Sequence, residues 1–171
     1  MQRHRGFTLI ELVMVVVIVG ALAIYALPQG LDALRGWNEL GFRDQVKSTL
    51  GYARSTAVSS RRFVCVAATA SGTGLQVNYD PRDPDALTAA TANCSATLVL
   101  PGSASNSIAA PTSVVLTLPA AAVVFDPLGR AFGPASDCSP SSTTQYCYSV
   151  QETGSAVAQI VRVERQTGYV H

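Results

Sequence analysis

The sequence contains very little of what an enzyme or a metal site requires. Only two histidines occur in its 171 residues, and one of them, His171, is the last residue. There is no Gly-x-Ser-x-Gly, no phosphate-binding Gly-x-x-x-x-Gly-Lys, no His-Glu-x-x-His and no Cys-x-x-Cys motif. We therefore expect that the protein is not an enzyme, that it uses no cofactor and that it has no metal site.

Charged residues are also scarce, at 13% of the chain, and the 12 basic and 11 acidic residues nearly cancel to a net charge of +1. This balance excludes a strongly basic nucleic-acid binder and an acidic disordered chain. Apolar residues are unevenly spread, because 19 of the first 28 residues are apolar, whereas about 44% of the remainder is, as in ordinary globular domains. A protein with several membrane spans is therefore excluded as well.

Residues 7–27 form an apolar run of 21 residues in which Glu11 is the only ionisable group apart from Tyr25. A helix of this length extends about 31 Å, which is enough to cross a membrane. Arg3 and Arg5 precede the run, and basic residues stay on the cytoplasmic side. The sequence thus predicts a single span with a cytoplasmic N-terminus.

Glu11 distinguishes this apolar run from a simple membrane anchor. A carboxylate at mid-bilayer costs at least about 2.5 kcal/mol, so an intramembrane carboxylate indicates a function and a partner. The alternative is a secretory signal peptide cleaved near Ala21-Leu22-Ala23. The length of the run and the carboxylate argue against that alternative.

Gly6-Phe7-Thr8-Leu9-Ile10-Glu11-Leu12-Val13 resembles the processing motif of type IV prepilins. The resemblance implies a leader peptide, residues 1–6, which prepilin peptidase removes by cutting after Gly6. Phe7 would become the N-methylated first residue, and Glu11 would pair with the amine of a neighbouring subunit during assembly. Pro28 matches a proline that kinks the long helix in this family.

Residues 28–62 continue as an amphipathic helix. Apolar residues recur there at steps of three and four, which predicts one buried stripe; they are Phe42, Val46, Leu50, Ala53 and Ala57. Glycines and an asparagine weaken the join to the apolar run, so we expect a break near residues 36–38.

After Arg62 the pattern is typical of β-structure, with short apolar runs separated by Gly, Pro, Ser and Asp-Pro. The predicted strands span residues 63–69, 75–79, 96–100, 114–118, 122–125, 146–151 and 157–164, with a short end at 169–170. Residues 71–74, 102–113 and 134–144 are predicted to be exposed loops. One helix followed only by strands indicates an α+β fold, with an antiparallel β-rich head over residues 63–171 packed on the helix.

Three further stretches resemble minor pilins and pseudopilins of the FimT, FimU and GspH class: residues 53–58, 61–66 and 125–130. The closing residues 164–171 resemble the tail of MshC-type minor pilins of MSHA (mannose-sensitive haemagglutinin) pili. The resemblance implies a type IV pilin-like fold and a minor pilin that is incorporated into, or primes, an MSHA-like pilus. Its partners would be prepilin peptidase and other major and minor pilins. It would lie in the bacterial inner membrane with a periplasmic head, and afterwards in the filament.

Two alternatives remain open. One is an H-type pseudopilin of type II secretion. The other is a FimT-like minor pilin that binds DNA, for which the candidate contacts are Arg61, Arg62, Arg162 and Arg165. Arginines at a helix end also neutralise its last carbonyl groups. The mature chain has 10 basic against 11 acidic side chains, and its tail departs from the DNA-binding members, so nucleic-acid binding is disfavoured.

Four cysteines lie beyond the apolar run, where the predicted topology places them in an oxidising compartment. Four cysteines allow three pairings, and locality favours Cys65–Cys94 with Cys138–Cys147. Four free thiols remain the alternative.

Asp80, Asp83 and Asp85 form an acidic cluster that could suggest calcium binding. The spacing is not that of an EF-hand, and Asp-Pro pairs are common in turns, so we expect a solvated turn.

Overall fold

A computed structural model describes residues 8–119, 121–133 and 145–171, with side chains for all of these except residues 24–35 and 152. The chain divides into two compact units, Met1–Trp37 and Asn38–His171. In the described part, one α-helix precedes nine β-strands. Within that part no helix combines the length and hydropathy needed to cross a membrane. Residue 7 and the side chains of residues 24–27, which belong to the predicted span, are not described.

Helix α1 covers Leu9–Ser60. At its start, the backbone N–H of Glu11 donates to Thr8 Oγ1 at 3.4 Å, as an N-cap threonine allows. The helix is continuous through residues 36–38, so the predicted break is wrong: a glycine costs only about 1 kcal/mol in a helix, which neighbouring turns offset. Pro28 lies within α1, and its predicted kink falls where side chains are not described.

The strands form two antiparallel sheets. Their bounds are β1 Val64–Ala68, β2 Gly74–Tyr79, β3 Ala96–Thr97, β4 Ser107–Ala109, β5 Val114–Thr117, β6 Val123–Phe125, β7 Ala131–Phe132, β8 Gln145–Glu152 and β9 Gln159–Glu164. The larger sheet has the order β3-β2-β1-β6-β7, with β4 also paired to β2, and the smaller has the order β5-β8-β9. A 3₁₀-helix, Pro84–Ala86, follows β2. This is the predicted α+β architecture.

The predicted helical stripe is the helix's contribution to the core. All five stripe residues are buried, from Phe42 at 3% exposed to Ala57 at 0%. They belong to one cluster with inward residues of both sheets, including Val66 and Leu75 from the larger sheet and Val150 from the smaller. The cluster lies within Asn38–His171, so that unit has its own hydrophobic core.

Two short strands were not expected from the sequence. Residues 102–113 were predicted to be an exposed loop, but they contain β4, with Ile108 buried. β4 approaches β2 so closely that a Cβ on Gly74 would lie 2.1 Å from the carbonyl oxygen of Ile108, which only glycine permits. Strand β7, Ala131–Phe132, was also missed. Strands of two or three residues are too short to show an alternating pattern.

Candidate functional site

The first turns of α1 present apolar side chains on every side. From Leu9 to Leu22 all side chains are exposed, and the large hydrophobic ones range from 47% exposed at Val13 to 81% at Leu9. Consecutive apolar positions cannot share one helix face, so no single neighbour on one side could cover them. An exposed apolar surface of this extent indicates a segment that is covered by an apolar environment or by partner helices.

Glu11 lies in the first turn of this apolar helix and its side chain is exposed. A carboxylate is favoured there by the positive end of the helix dipole. No partner for the Glu11 carboxylate is found among the residues that the structure describes. Gly6 and Phe7, the predicted processing residues, lie outside the described residues.

Arg61 and Arg62 form the C-terminal cap of α1. Arg61 has a φ of 50°, and the N–H groups of Arg61 and Arg62 donate to the carbonyls of Val58 at 3.4 Å and Ala57 at 3.1 Å. This is a Schellman cap with an arginine where glycine is usual. The Arg62 guanidinium also donates to the carbonyl oxygens of Pro81 and Arg82. Arg62 therefore has a structural role at the helix end.

Arg162 and Arg165 lie on or beside β9, in the smaller sheet. The Arg162 backbone exchanges two hydrogen bonds with His171, at 2.9 and 3.0 Å. The Arg165 guanidinium lies over the Tyr146 ring, 5.5 Å from its centroid. DNA binding through these four arginines stays a prediction.

The acidic cluster is organised by Asp80, which is fully buried. One carboxylate oxygen accepts from the backbone N–H of Arg82 at 3.0 Å and from its Nε at 2.9 Å, and the other accepts from Arg82 Nη2 and the N–H of Asn93, both at 2.6 Å. The hydrogen-bonded Arg82 guanidinium holds the pKa of Asp80 well below its usual range. Asp80 is therefore an internal ion-pair partner, which corrects the predicted solvated turn for this residue.

A disulfide reinforces the same loop. Cys65 and Cys94 are bonded, with 6.0 Å between their Cα atoms, which is the pairing that locality favours. Cys94 follows Asn93, which donates to Asp80. The disulfide to β1 and the hydrogen bond to Asp80, directly after β2, therefore hold residues 93–94 against these two strands. Cys147 is also in a disulfide, but its predicted partner, Cys138, lies outside the described residues.

Sequence reasoning missed a junction between α1 and two turns. Arg54 Nε donates to the carbonyl oxygens of Thr167 at 2.9 Å and Gly129 at 3.3 Å. A Cβ on Gly168 would lie 2.0 Å from the Gly129 carbonyl oxygen, so the turns after β6 and β9 are in direct contact. The Phe125–Arg130 pattern indicated a turn, but nothing in the sequence indicated that Arg54 would bind it.

The turn after β6 is itself held by Asp126, which is 3% exposed. Its carboxylate accepts from the backbone N–H groups of Leu128 at 2.9 Å and Arg130 at 2.8 Å, and forms an ion pair with the Arg130 guanidinium at 2.7 Å. Buried carboxylates that are paired in this way are structural.

A cavity of about 400 Å³ lies between α1 and the segment that leads into β4. Hydroxyl and amide groups supply its polar lining, from Gln45, Ser48, Thr49, Tyr52, Ser103 and Ser107. No ionisable group other than the tyrosine is among these lining residues, so the cavity offers no general base.

Comparisons with known proteins agree with this architecture. A family model described as type II transport protein GspH matches residues 43–167, and one described as the prokaryotic N-terminal methylation motif matches residues 1–27. No curated protein gives a significant match to the sequence.

Two solved structures are similar in fold. The type IV minor pilin FimU of Pseudomonas aeruginosa has a TM-score of 0.52 and 16% identity, over 77% of this chain and 85% of FimU. The minor pseudopilin EpsH from the type 2 secretion system of Vibrio cholerae has a TM-score of 0.54 and 11% identity, over 78% of this chain and 94% of EpsH. At these identities the similarity establishes a shared fold.

Proposed function

The chain belongs to the family of type II transport protein GspH, and from this premise we propose that it is a minor pilin of a type IV, MSHA-like pilus. The family consists of structural, non-enzymatic pilins and pseudopilins, and this chain is not an enzyme. The N-terminal methylation motif at residues 1–27 implies processing by prepilin peptidase. The MSHA assignment rests on the tail, residues 164–171, which resembles MshC-type subunits.

In this proposal the chain is inserted once into the inner membrane through residues 7–27, with the head in the periplasm. Prepilin peptidase removes residues 1–6 by cutting after Gly6, and Phe7 becomes the methylated N-terminus. The observation that carries the proposal is the helix from Leu9 to Leu22, whose apolar side chains are exposed on every side. Lipid covers these apolar side chains before assembly, and the helices of neighbouring subunits cover them in the filament.

Glu11 would act as an assembly residue. An unpaired carboxylate inside an apolar helix bundle costs free energy. The N-terminal amine of Phe7 in a neighbouring subunit removes that cost if it lies at the same level along the bundle axis as Glu11. The exposed position of the Glu11 side chain in the first turn is compatible with such a partner. Residues 28–62 would then connect the filament core to the head, residues 63–171, which contacts other pilins.

A second candidate is an H-type pseudopilin of a type II secretion system, which the description of the family model favours. Deleting the gene distinguishes the two: loss of surface pili supports the pilus, whereas loss of secreted proteins supports the secretion system. DNA binding, the third candidate, predicts a salt-dependent gel shift with purified protein.

The intact mass of the mature protein tests the proposal directly. We expect a chain that begins at methylated Phe7; any other N-terminus contradicts the prepilin assignment. Glu11→Ala should be inserted and cleaved normally but should enter filaments at least tenfold less than the wild type. Asp44→Ala removes an exposed carboxylate from the same helix and is the matched control. Equal incorporation of both variants contradicts the role of Glu11.

A further inference from the structure

One wall of the cavity between α1 and the segment that leads into β4 is a row of polar side chains. Four helical residues form this wall, and their steps of three and four place them on one face of the helix; they are Gln45, Ser48, Thr49 and Tyr52. We call these four residues the polar face of α1. It borders the buried stripe, so its side chains lie between the hydrophobic core and the cavity.

Thr49 is the member of the polar face that most needs a partner. It is 5% exposed, and its hydroxyl forms no hydrogen bond to the residues that the structure describes. A buried hydroxyl is normally bonded to protein, to water or to a ligand, because leaving it without a partner costs free energy. Since Thr49 lines the cavity, a molecule in the cavity can supply that partner. The side-chain amide of Gln45 also has no hydrogen bond to the described residues.

The opposite wall is held by backbone hydrogen bonds. The N–H of Ser103 donates to the Leu100 carbonyl at 3.1 Å, and the N–H of Leu100 donates to the Ser105 carbonyl at 3.0 Å. Strand β4, which follows, is paired with β2. The Ser103 hydroxyl oxygen accepts from the N–H of Ser105 at 3.0 Å, so its own proton is available to a ligand. A wall that is already ordered loses little conformational entropy on binding.

The lining matches the chemistry of a neutral saccharide. A sugar ring carries hydroxyl groups along its edge and C–H groups on its faces. The hydroxyl and amide groups of the lining complement the edge, and the Tyr52 ring with buried Leu100 and Ile108 supplies apolar surface for the faces. None of the lining residues carries a formal charge at pH 7, so a phosphate, carboxylate or ammonium group would find no counter-charge there. The volume of about 400 Å³ lies in the range of small-molecule sites.

From this arrangement we propose that the cavity binds a neutral saccharide, through the hydroxyls of Thr49 and Ser103 and the amide of Gln45. The Tyr52 hydroxyl donates to the Val99 carbonyl at 3.3 Å, which orients the ring beside the ligand. The inference goes beyond the proposed function, because assembly of a filament requires no small-molecule site in the head. It applies equally to a pilus subunit and to a secretion pseudopilin.

Ligand-observed NMR on the full-length chain tests the proposal. The protein is held in phosphatidylcholine nanodiscs, since a sugar-based detergent would compete for the cavity. The probes are the methyl glycosides of glucose, galactose and mannose and their 2-acetamido analogues. We expect at least one of them to bind with a Kd of about 1 mM or below, and glycerol to bind at least tenfold more weakly. Absence of saturation transfer to every glycoside overturns the proposal. Equal binding of glycerol shows an adventitious polyol only and overturns it as well.

Substitutions on α1 locate the bound glycoside. Thr49→Val removes the hydroxyl but keeps the shape of the side chain, and it should raise the Kd at least fivefold. Thr56→Val makes the same change two turns later on α1, outside the lining of this cavity, and should change the Kd less than twofold. Oxidation of Cys65–Cys94 verifies that each variant folds. An unchanged Kd in Thr49→Val overturns the proposed site.

A second variant does not alter the core. Gln45 is exposed, so Gln45→Met removes the amide without disturbing buried packing. It should raise the Kd at least threefold, because the ligand loses a donor and an acceptor. Binding as tight as that of the wild type contradicts the role of Gln45.

Discussion

Arg54 Nε lies 2.9 Å from the carbonyl oxygen of Thr167, a residue 113 positions later in the chain. The same Nε is 3.3 Å from the carbonyl oxygen of Gly129. One helical side chain therefore contacts a turn of the larger sheet and the turn that follows the smaller sheet. Because a charged donor strengthens a hydrogen bond, this junction contributes to the docking of both sheets on α1.

Replacing Arg54 by Met should destabilise the head. Met keeps most of the aliphatic contact but leaves two carbonyl oxygens without their charged donor, and we expect a loss of about 2 kcal/mol. The measurement is the free energy of urea unfolding of Asn38–His171, the compact unit with its own core. Lys47→Met, at an exposed position of the same helix, is the control. This substitution should change the free energy of unfolding by less than about 0.5 kcal/mol. Equal stability of the two variants would show that the junction is not important.

Asp80→Asn should be one of the most damaging polar substitutions in the head. The asparagine keeps the shape but offers an NH₂ group to donors and leaves the Arg82 guanidinium without its counter-charge. Asp80 is buried but the Arg82 side chain is 51% exposed, so water partly replaces the lost carboxylate and we expect a cost of about 2 kcal/mol. Asp83→Asn, which affects only an exposed bond to the N–H of Asp85, should cost less than about 1 kcal/mol. Urea unfolding of both variants at pH 7 checks this difference.

The contribution of Asp80 should depend on pH only in acid. The pKa of its carboxyl is lowered in the folded state, so its stabilisation is complete above the unfolded pKa of about 3.9 and is lost as the pH falls through the folded pKa. The difference in unfolding free energy between wild type and Asp80→Asn should therefore be constant from pH 7 to pH 5. It should narrow by about 1 kcal/mol by pH 3. A difference that stays constant, or widens, down to pH 3 would contradict the lowered pKa.

Tyr148→Phe should stabilise the head, an unusual outcome for a core substitution. Tyr148 is 1% exposed, its hydroxyl finds no hydrogen-bond partner among the residues that the structure describes, and burial raises the pKa of this phenol. Removing an unsatisfied buried hydroxyl should gain about 1 kcal/mol. Tyr146→Phe is the matched comparison, because the Tyr146 hydroxyl donates to the Gly133 carbonyl at 3.0 Å. This variant should lower the free energy of unfolding by about 1 kcal/mol. Changes of the same sign in both variants would refute this account.

Arg61→Gly should preserve or raise stability although it removes a charge. Arg61 adopts a φ of 50° at the C-terminal cap of α1, and glycine adopts this conformation without steric cost, which is worth up to about 1 kcal/mol. Arg61→Ala removes the same charge but keeps the Cβ, so it should be less stable than Arg61→Gly. Thermal unfolding of the two variants checks the order. A more stable alanine variant would contradict a steric cost of the Cβ in the left-handed conformation at this position.

Patterns among residues close together in the sequence predicted the helix and the longer strands, because the period of a helix or strand is set locally. The spacing of Phe42, Val46 and Leu50 predicted the buried helix face, since residues three and four apart share a face whatever they pack against. Strands β1, β2 and β8 were predicted because their length gives a readable β pattern. Strands β4 and β7 were missed, since pairing with β2 and β6 supplies their hydrogen bonds and their own residues carry little signal.

The sequence by itself determined the N-terminal methylation motif at residues 1–27, because this motif and the apolar run that contains Glu11 consist of consecutive residues. It also determined the α+β class and the helix face that packs on the sheets. Only the tertiary structure decided the roles of Arg54 and Asp80. Arg54 donates to backbone carbonyls as many as 113 positions away, and Asp80 accepts from the N–H of Asn93, 13 positions away; the fold alone sets where these backbone groups lie. A carbonyl is present at every residue, so no sequence pattern can indicate which one a given arginine will reach.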